Sequence, residues 1–271
     1  MHRTALAMLV GAFILLPVHA EAANVGHFDS TREQYGVAGG GPYINAAKND
    51  LGVFGHVLSA TNSMTSGFLA GVDAFYLGLM FGGSPLTAAE KTALVDFVND
   101  GRMLFIQQDH SGGDWWAPAE AALGLVGASS SVAGGGDLHT IQNVPPITSS
   151  PNALAGQTFN GAANSFFDVF VDFDVIAREN GDNHPTVIHK PVGSTGHVFS
   201  SSDIDMWSGA GGYGDGSNNQ KLWQNIWATA GGGNQRGGGG EAVIPEPTTM
   251  ALMGLGGLGL AFARRRKVTR V

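Results

Sequence analysis

The sequence predicts an α/β body built as a parallel-sheet three-layer sandwich, with an apolar segment at each end of the chain. Three observations predict it. Two short apolar runs, Val72–Met80 and Met103–Ile106, read as strands buried on both faces, as parallel strands are. Between them Thr87 stands three residues before Glu90, a capping box, and Leu94, Phe97 and Val98 form an apolar helical stripe. Strand, helix and strand with short connections make a βαβ crossover, whose strands run parallel. The third is composition: 271 residues, 43% hydrophobic and 13% charged, supply a real core. Glycine is abundant, 42 residues, but no G-X-Y period runs through the chain, which excludes collagen.

Each element follows in order. Asn24–Phe28 is a short β-prone run leading into Asp29. Residues 42–58 have helical spacing, with Ile44, Leu51 and Val57 among polar residues. Val72–Met80 is the first buried strand, and Phe81-Gly82-Gly83 turns out of it. The capped helix ends at Asp100-Gly101. Met103–Ile106 runs into Gln107-Gln108-Asp109-His110. Trp115–Leu125 reads as a further helix. Residues 127–161 carry Pro145-Pro146 and Ser149-Ser150-Pro151 and read as loops. Phe166–Ile176 alternates apolar residues with Asp168, Asp172 and Asp174, the pattern of a half-exposed strand. Thr186–His189 and His197–Ser200 are two short strands around Lys190-Pro191-Val192-Gly193. Asn219–Ala230 is the last helix, with Trp223 and Trp227 four residues apart. No internal repeat is present.

Both ends read as addresses. Arg3 precedes an apolar stretch from Ala5 to Val18, and Ala20-Glu21-Ala22 places small residues at the −3 and −1 positions of a cleavage site. Residues 1–22 are therefore expected to be a secretory signal peptide, handled by the Sec translocon and signal peptidase. The globular domain is expected over 23–230, and 231–242 is a Gly-rich linker. At the far end Pro245-Glu246-Pro247 precedes an apolar run, 249–263, and then Arg264, Arg265, Arg266, Lys267 and Arg270. Such a basic cluster stays on the cytoplasmic side. Fifteen residues of helix rise ~22 Å, short of a full bilayer core but enough for a weak transmembrane anchor.

Residues 243–271 resemble the PEP-CTERM sorting signal, on the strength of that motif, the Gly-rich apolar helix and the terminal arginines. The resemblance implies recognition by an exosortase, removal of the tail near the motif, and release or transfer of the body to the surface. Such proteins occur in bacteria that make exopolysaccharide. The expected itinerary is export, transient anchoring in the inner membrane, then the cell surface or the extracellular space.

Residues 23–247 hold 8 Lys and Arg against 21 Asp and Glu, about −13. So acidic a body repels nucleic acid and anionic lipid and suits divalent cations or neutral glycans. Cysteine is absent from the whole chain, which removes disulfides, thiolate metal sites and any thiol nucleophile.

Three stretches of the body resemble the class I glutamine amidotransferase-like fold, a flavodoxin-type sandwich, in its divergent branches. They are His27-Phe28-Asp29-Ser30 with Arg32-Glu33-Gln34-Tyr35; the strand–helix–strand unit from Ala70 to His110; and Gly196 to Trp227. In the last, a strand ends in Ser201-Ser202-Asp203, and a helix carries Asn219, Leu222, Asn225, Ile226 and Trp227. The resemblance implies a Cys–His–Glu amidotransferase site. This chain has no Cys, so that chemistry is not expected, and no G-x-S-x-G elbow replaces it.

Ligands of open α/β sheets bind beyond the carboxyl ends of the strands. Asp29, Asp109-His110 with Asp114, His189, and Ser202-Asp203 with Asp205 are the residues expected there. Asp109, Asp114, Asp203 and Asp205 are the candidate metal ligands, and Ca²⁺ is the ion such carboxylates suit; no cofactor is required. Imidazole joining them would favour a transition metal. Asp109, His110 and Asp203 are the candidate acid–base residues for hydrolysis of a glycan or ester. The competing assignment makes these residues caps and turn-closers, roles that Asp fills well. His139, His184 and His189 taken singly fit loop or core positions. Trp115 and Trp116 beside Asp114 suit a sugar platform or the opening of a helix. Ala210–Asn219 lacks calcium-loop spacing and reads as a surface loop. The leading expectation is an exported, non-enzymatic surface protein that binds or organises exopolysaccharide. The alternatives are a secreted hydrolase with an Asp/His cleft and a metal or small-ligand binding module.

Overall fold

The computed structural model describes residues 22–37, 44–109, 115–116, 129–132, 138–161, 165–169 and 172–232. Its main sheet has nine strands among these residues. Five are parallel: β1 (Asn24–Phe28), β3 (Val57–Thr61), β4 (Ala74–Leu77), β6 (Met103–Gln107) and β14 (Gly196–Ser201). They lie in the order β3-β1-β4-β6-β14. The chain thus enters at the second position and reverses there, the doubly-wound order of flavodoxin-type folds. Beyond β14 the sheet turns antiparallel through β13 (Pro185–Val192), β12 (Asp174–Glu179), β9 (Leu138–Ile141) and β10 (Thr158–Asn160). Two small sheets stand apart. One joins β2 (Glu33–Tyr35), β5 (Leu79–Phe81) and β7 (Trp115–Trp116), and the other β8 (Ser129–Val132) and β11 (Ser165–Val169).

Two helical layers complete the sandwich. On one face α1 (Asn45–Val53) and α4 (Asn218–Gly232) bury Ala47, Leu51, Leu222, Trp223, Ile226 and Trp227. On the other α2 (Ser66–Ala70) and α3 (Ala88–Asn99) bury Leu69, Leu94, Phe97 and Val98. The capping box of α3 forms: the Thr87 hydroxyl accepts from Glu90 N–H at 3.2 Å, and the Glu90 carboxylate accepts from Thr87 N–H at 2.9 Å.

Register lines up one residue per strand: Ala60, His27, Tyr76, Phe105, Phe199, His189 and Asp174, running from β3 to β12. Residues paired this way share a face. The row is aromatic at its centre, where Tyr76 stacks on Phe105 at 5.6 Å and Trp223 meets Phe105 edge-on at 5.1 Å. Such pairs contribute about 0.5–1.5 kcal/mol each beyond their burial. The Trp223 indole N–H donates to the Ala47 carbonyl at 3.0 Å and ties α4 to α1.

Several elements differ from expectation. The helix over 42–58 occupies only Asn45–Val53; Gly55 takes φ +90°, and Val57 starts β3 on the sheet edge. The Val72–Met80 run is two strands, because β5 leaves the main sheet after Gly78 to pair with β2. Trp115–Trp116 is a strand paired with β5, and the rest of the helix expected to Leu125 lies outside the described residues. The loop region 127–161 contains β8, β9 and β10. Phe166–Ile176 is β11 and β12, broken near Asp172, whose φ of 59° no strand sustains. The β13–β14 turn falls after Val192, since Pro191 still pairs with His197.

Candidate functional site

The carboxyl edge of the parallel strands is built first from backbone register. Gln107 pairs with Ser201, so Asp109 and Asp203 each lie two residues beyond the same row on adjacent strands. Gln108 stitches the two: its N–H donates to the Ser201 carbonyl at 2.8 Å, and its amide reaches the Ser200 hydroxyl at 3.2 Å. Two of the three proposed acid–base residues therefore share one edge. The third, His110, lies outside the described residues, as does Asp114.

Their side chains are committed to the fold. Asp203 is buried, and its carboxylate accepts from Asp205 N–H at 2.8 Å and from the Ser165 hydroxyl at 3.3 Å. It thereby caps a 3₁₀ turn, Ile204–Trp207, and ties the end of β14 to β11. Half-buried Asp205 accepts from the Ser208 hydroxyl at 3.3 Å. Asp109 is half-buried and engaged as well. Asp29 is half-buried and closes its own turn, accepting from Thr31 N–H at 2.9 Å and from the Thr31 hydroxyl. That hydroxyl holds its carboxyl below the ordinary aspartate range. Among the described residues Asp109, Asp203 and Asp205 form no three-ligand group. Among the described residues the one group of three such ligands lying within 4.8 Å of one another is Glu179, Asp182 and His184. There Glu179 already closes its own hairpin turn by accepting from Gly181 N–H at 2.6 Å and Asp182 N–H at 2.9 Å.

The point where strand order reverses lies between β1 and β4, and it holds a buried residue that sequence reading did not single out as a site. Glu33 is 1% exposed, accepts from Val37 N–H at 3.1 Å, and has the His27 ring nitrogen 4.0 Å away. Gly36, at φ +146°, and Gly78 make room for it: a Cβ on either would stand 1.8 or 1.7 Å from the Glu33 Oε1. The Tyr76 hydroxyl is buried without a hydrogen-bond partner, and burial, with the Glu33 charge, pushes its pKa up. Burial lowers the pKa of His27. The sequence signal is slight: Glu33 stands between Arg32 and Gln34, with Gly36 three positions later.

One residue earlier, Arg32 pins this turn to α3. Its guanidinium bonds Glu90 at 2.9 Å and lies 4.4 Å over the Phe28 ring. Burial pushes the Glu90 pKa up, but the Arg32, Thr87 and Met64 hydrogen bonds and the Arg32 charge outweigh it and bring it to about 2.

His189 is not at the carboxyl edge. It sits mid-strand in β13, opposite Phe199 and Asp174. His139 is fully buried in β9, its ring 5.1 Å from Phe159. The 210–219 loop is anchored, since the buried Tyr213 donates its hydroxyl to Asp50 at 2.6 Å.

With the geometry in place, comparison with known proteins separates the tail from the body. Residues 243–267 match the family model described as the PEP-CTERM protein-sorting motif. The chain carries a PEP-CTERM sorting motif. That motif implies an exported protein, sorted at the membrane, with exosortase as its processing partner. Among the described residues no helix is long and apolar enough to cross a membrane; the apolar run 249–263 lies outside them. No curated protein sequence matches the chain.

Solved structures match the body at low identity. The mmIFT52 N-terminal domain is 14% identical with a TM-score of 0.54, covering 76% of this chain and 97% of that one. A cytoplasmic protein from Salmonella typhimurium LT2 is 13% identical with a TM-score of 0.50, covering 77% and 99%. A glutamine amido transferase from Methylobacillus flagellatus is 8% identical with a TM-score of 0.48, covering 82% and 98%. Likeness at these identities concerns the fold alone.

Proposed function

We propose that the chain is an exported surface protein whose α/β body binds or organises exopolysaccharide without turning it over. The observation that carries the non-catalytic part is the state of Asp203. A two-carboxylate hydrolase needs both groups facing the bond they cleave. Asp203 is instead buried and spends its oxygens on a 3₁₀ cap and on Ser165. The chain also has no Cys for amidotransferase chemistry. The glycan part is supported by the PEP-CTERM tail and by a body of about −13, which suits a neutral polymer better than nucleic acid or anionic lipid. Signal peptidase would remove 1–22, and exosortase would act near Pro245-Glu246-Pro247.

The test is retention of the full chain, in mild detergent, on exopolysaccharide purified from its host, with Ca²⁺ and with EDTA. Retention in either condition, with no reducing ends released, is the expected result. Passage through the column in both conditions overturns the glycan reading, and release of reducing ends overturns the non-catalytic one. In the host, deletion of 243–271 is expected to abolish the mass loss that marks exosortase processing.

A further inference from the structure

The polar end of the aromatic row opens onto a cavity that neither the PEP-CTERM motif nor the carboxyl edge explains. It has a volume of about 420 Å³ and lies between the loop around Ile147, the second half of α4 at Thr229, and the sheet at Asp174, His189 and His197. Two imidazoles meet there. The Nε2 of His189 stands 3.0 Å from the Nδ1 of His197. On the far side of His189, its Nδ1 is buried without a hydrogen-bond partner, and the Asp174 carboxylate is 3.6 Å away. His189 is only 5% exposed.

From these positions we infer that His189 and His197 form a binding site for a borderline divalent transition metal ion of the Zn²⁺ class. Two nitrogens bound to one tetrahedral ion at 2.0–2.1 Å stand ~3.3 Å apart. The observed pair needs to open by a few tenths of an ångström, and each ring to turn so that both lone pairs meet at the ion. Asp174 stands where metal-binding histidines usually have a carboxylate, behind the ligand ring and facing its other nitrogen. Its charge, 3.6 Å away, favours the His189 tautomer with the proton on Nδ1, toward the carboxylate, which leaves the Nε2 lone pair for the ion. The proton now shared between the rings is then that of His197 Nδ1. On metal binding it moves to His197 Nε2, so no net proton is lost. An imidazole binds such an ion in its neutral form. Both rings line the cavity, which leaves room there for the remaining ligands. Soft or borderline nitrogen donors exclude Ca²⁺ as the preferred ion. The site is independent of the polysaccharide reading and stands or falls without it.

The test is equilibrium dialysis of the full, untagged chain in mild detergent against Zn²⁺ at pH 7.5, followed by metal analysis. One equivalent is expected to be retained, and an excess of Ca²⁺ leaves it in place. His189→Ala and His197→Ala are each expected to weaken retention at least about tenfold, and Asp174→Asn by roughly 10- to 100-fold, the usual cost of losing such an orienting partner. His184→Ala, in the hairpin grouping, is expected to change nothing. No retained Zn²⁺, retention undiminished in His197→Ala, or retention lost in His184→Ala overturns the site. Should an alanine variant fail to fold, Co²⁺ bound to the unaltered chain decides by X-ray absorption. A shell containing two imidazoles supports the site, and an all-oxygen shell overturns it.

Discussion

Replacing Glu90 by Ala tests how the turn beside the strand-order reversal is held. The Glu90 side chain is 6% exposed and that of Arg32 16%. One carboxylate serves four groups: Arg32 at 2.9 Å, Thr87 N–H at 2.9 Å, the Thr87 hydroxyl at 3.1 Å and Met64 N–H at 3.2 Å. Removing one partner of a buried pair costs 3–5 kcal/mol, because the other charge is stranded. Here Arg32 keeps the Asn62 carbonyl at 2.9 Å and some water, which places the loss at the low end. The surviving half of the capping box, Thr87 to residue 90 N–H, is backbone-directed and remains. The expected loss is about 3 kcal/mol at pH 7. For a domain of this size that is a fall in Tm of roughly 6–12 °C, read by circular dichroism.

The pH dependence has a definite sign. The folded Glu90 pKa lies near 2, below its ordinary 4.5, so the carboxylate stabilises the fold fully above about pH 4.5 and loses that effect as pH falls toward 2. The difference between wild type and Glu90→Ala should shrink across that window. A double-mutant cycle with Arg32→Met should recover much of the loss, since no stranded charge remains. A loss below about 1 kcal/mol, the value of an exposed pair, would refute the clamp.

Gly78→Ala should destabilise by about 1–3 kcal/mol, since its Cβ would meet Glu33 Oε1 at 1.7 Å and the Tyr35 carbonyl at 2.9 Å, whereas Gly83→Ala, with open space around it, should be close to neutral in the same denaturant titration. Asp203→Ala should cost about 1–2 kcal/mol through loss of the 3₁₀ cap, and Asp203→Asn should restore most of it; equal losses in urea melts would show that the cap is not the cause. His27, His56, His189 and His197 all have folded pKa values below the ordinary 6.5, so their contribution is complete above pH 6.5 and lost as pH falls, for His189 down to about 3. Tm should therefore drop between pH 7.5 and 5, and His189→Gln should flatten that slope; a constant Tm over this range contradicts it.

What the sequence disclosed follows from how local each signal is. The α3 capping box was legible because Thr87 and Glu90 are three residues apart and touch through one turn of backbone. The parallel strands β4 and β6 were legible because burial on both faces leaves a continuous apolar run. The break at Gly78 was not, because its cause is Glu33, distant in sequence, whose carboxylate occupies the space a side chain would need. The same holds for Asp203: the residue type suits a cap or a catalyst equally, and only Ser165 folding back onto it decides. Pairing of His189 with His197 was obscured by placing their turn too early, which left Pro191 and Val192 outside the strand that sets their register.

One face of the sheet is covered differently over its parallel and its antiparallel strands. α4 lays Trp223 and Trp227 over Tyr76 and Phe105, so the central strands are sealed on that face by aromatic contact. Beyond Phe199 in the same row, His189 and Asp174 line the cavity shared with the 144–151 loop. That loop cannot simply collapse onto them, because Asn225 on α4 holds it. Its amide donates to the Ile147 and Asn152 carbonyls, each at 2.8 Å, and its oxygen accepts from Asn152 N–H at 2.9 Å. A fully buried side chain with its hydrogen-bonding capacity so used fixes the spacing of two walls. Asn225→Leu should therefore release the loop and let the cavity close over the imidazole pair. If Zn²⁺ retention survives that change undiminished, the walls do not set the site, and the two histidines alone are enough to hold the ion.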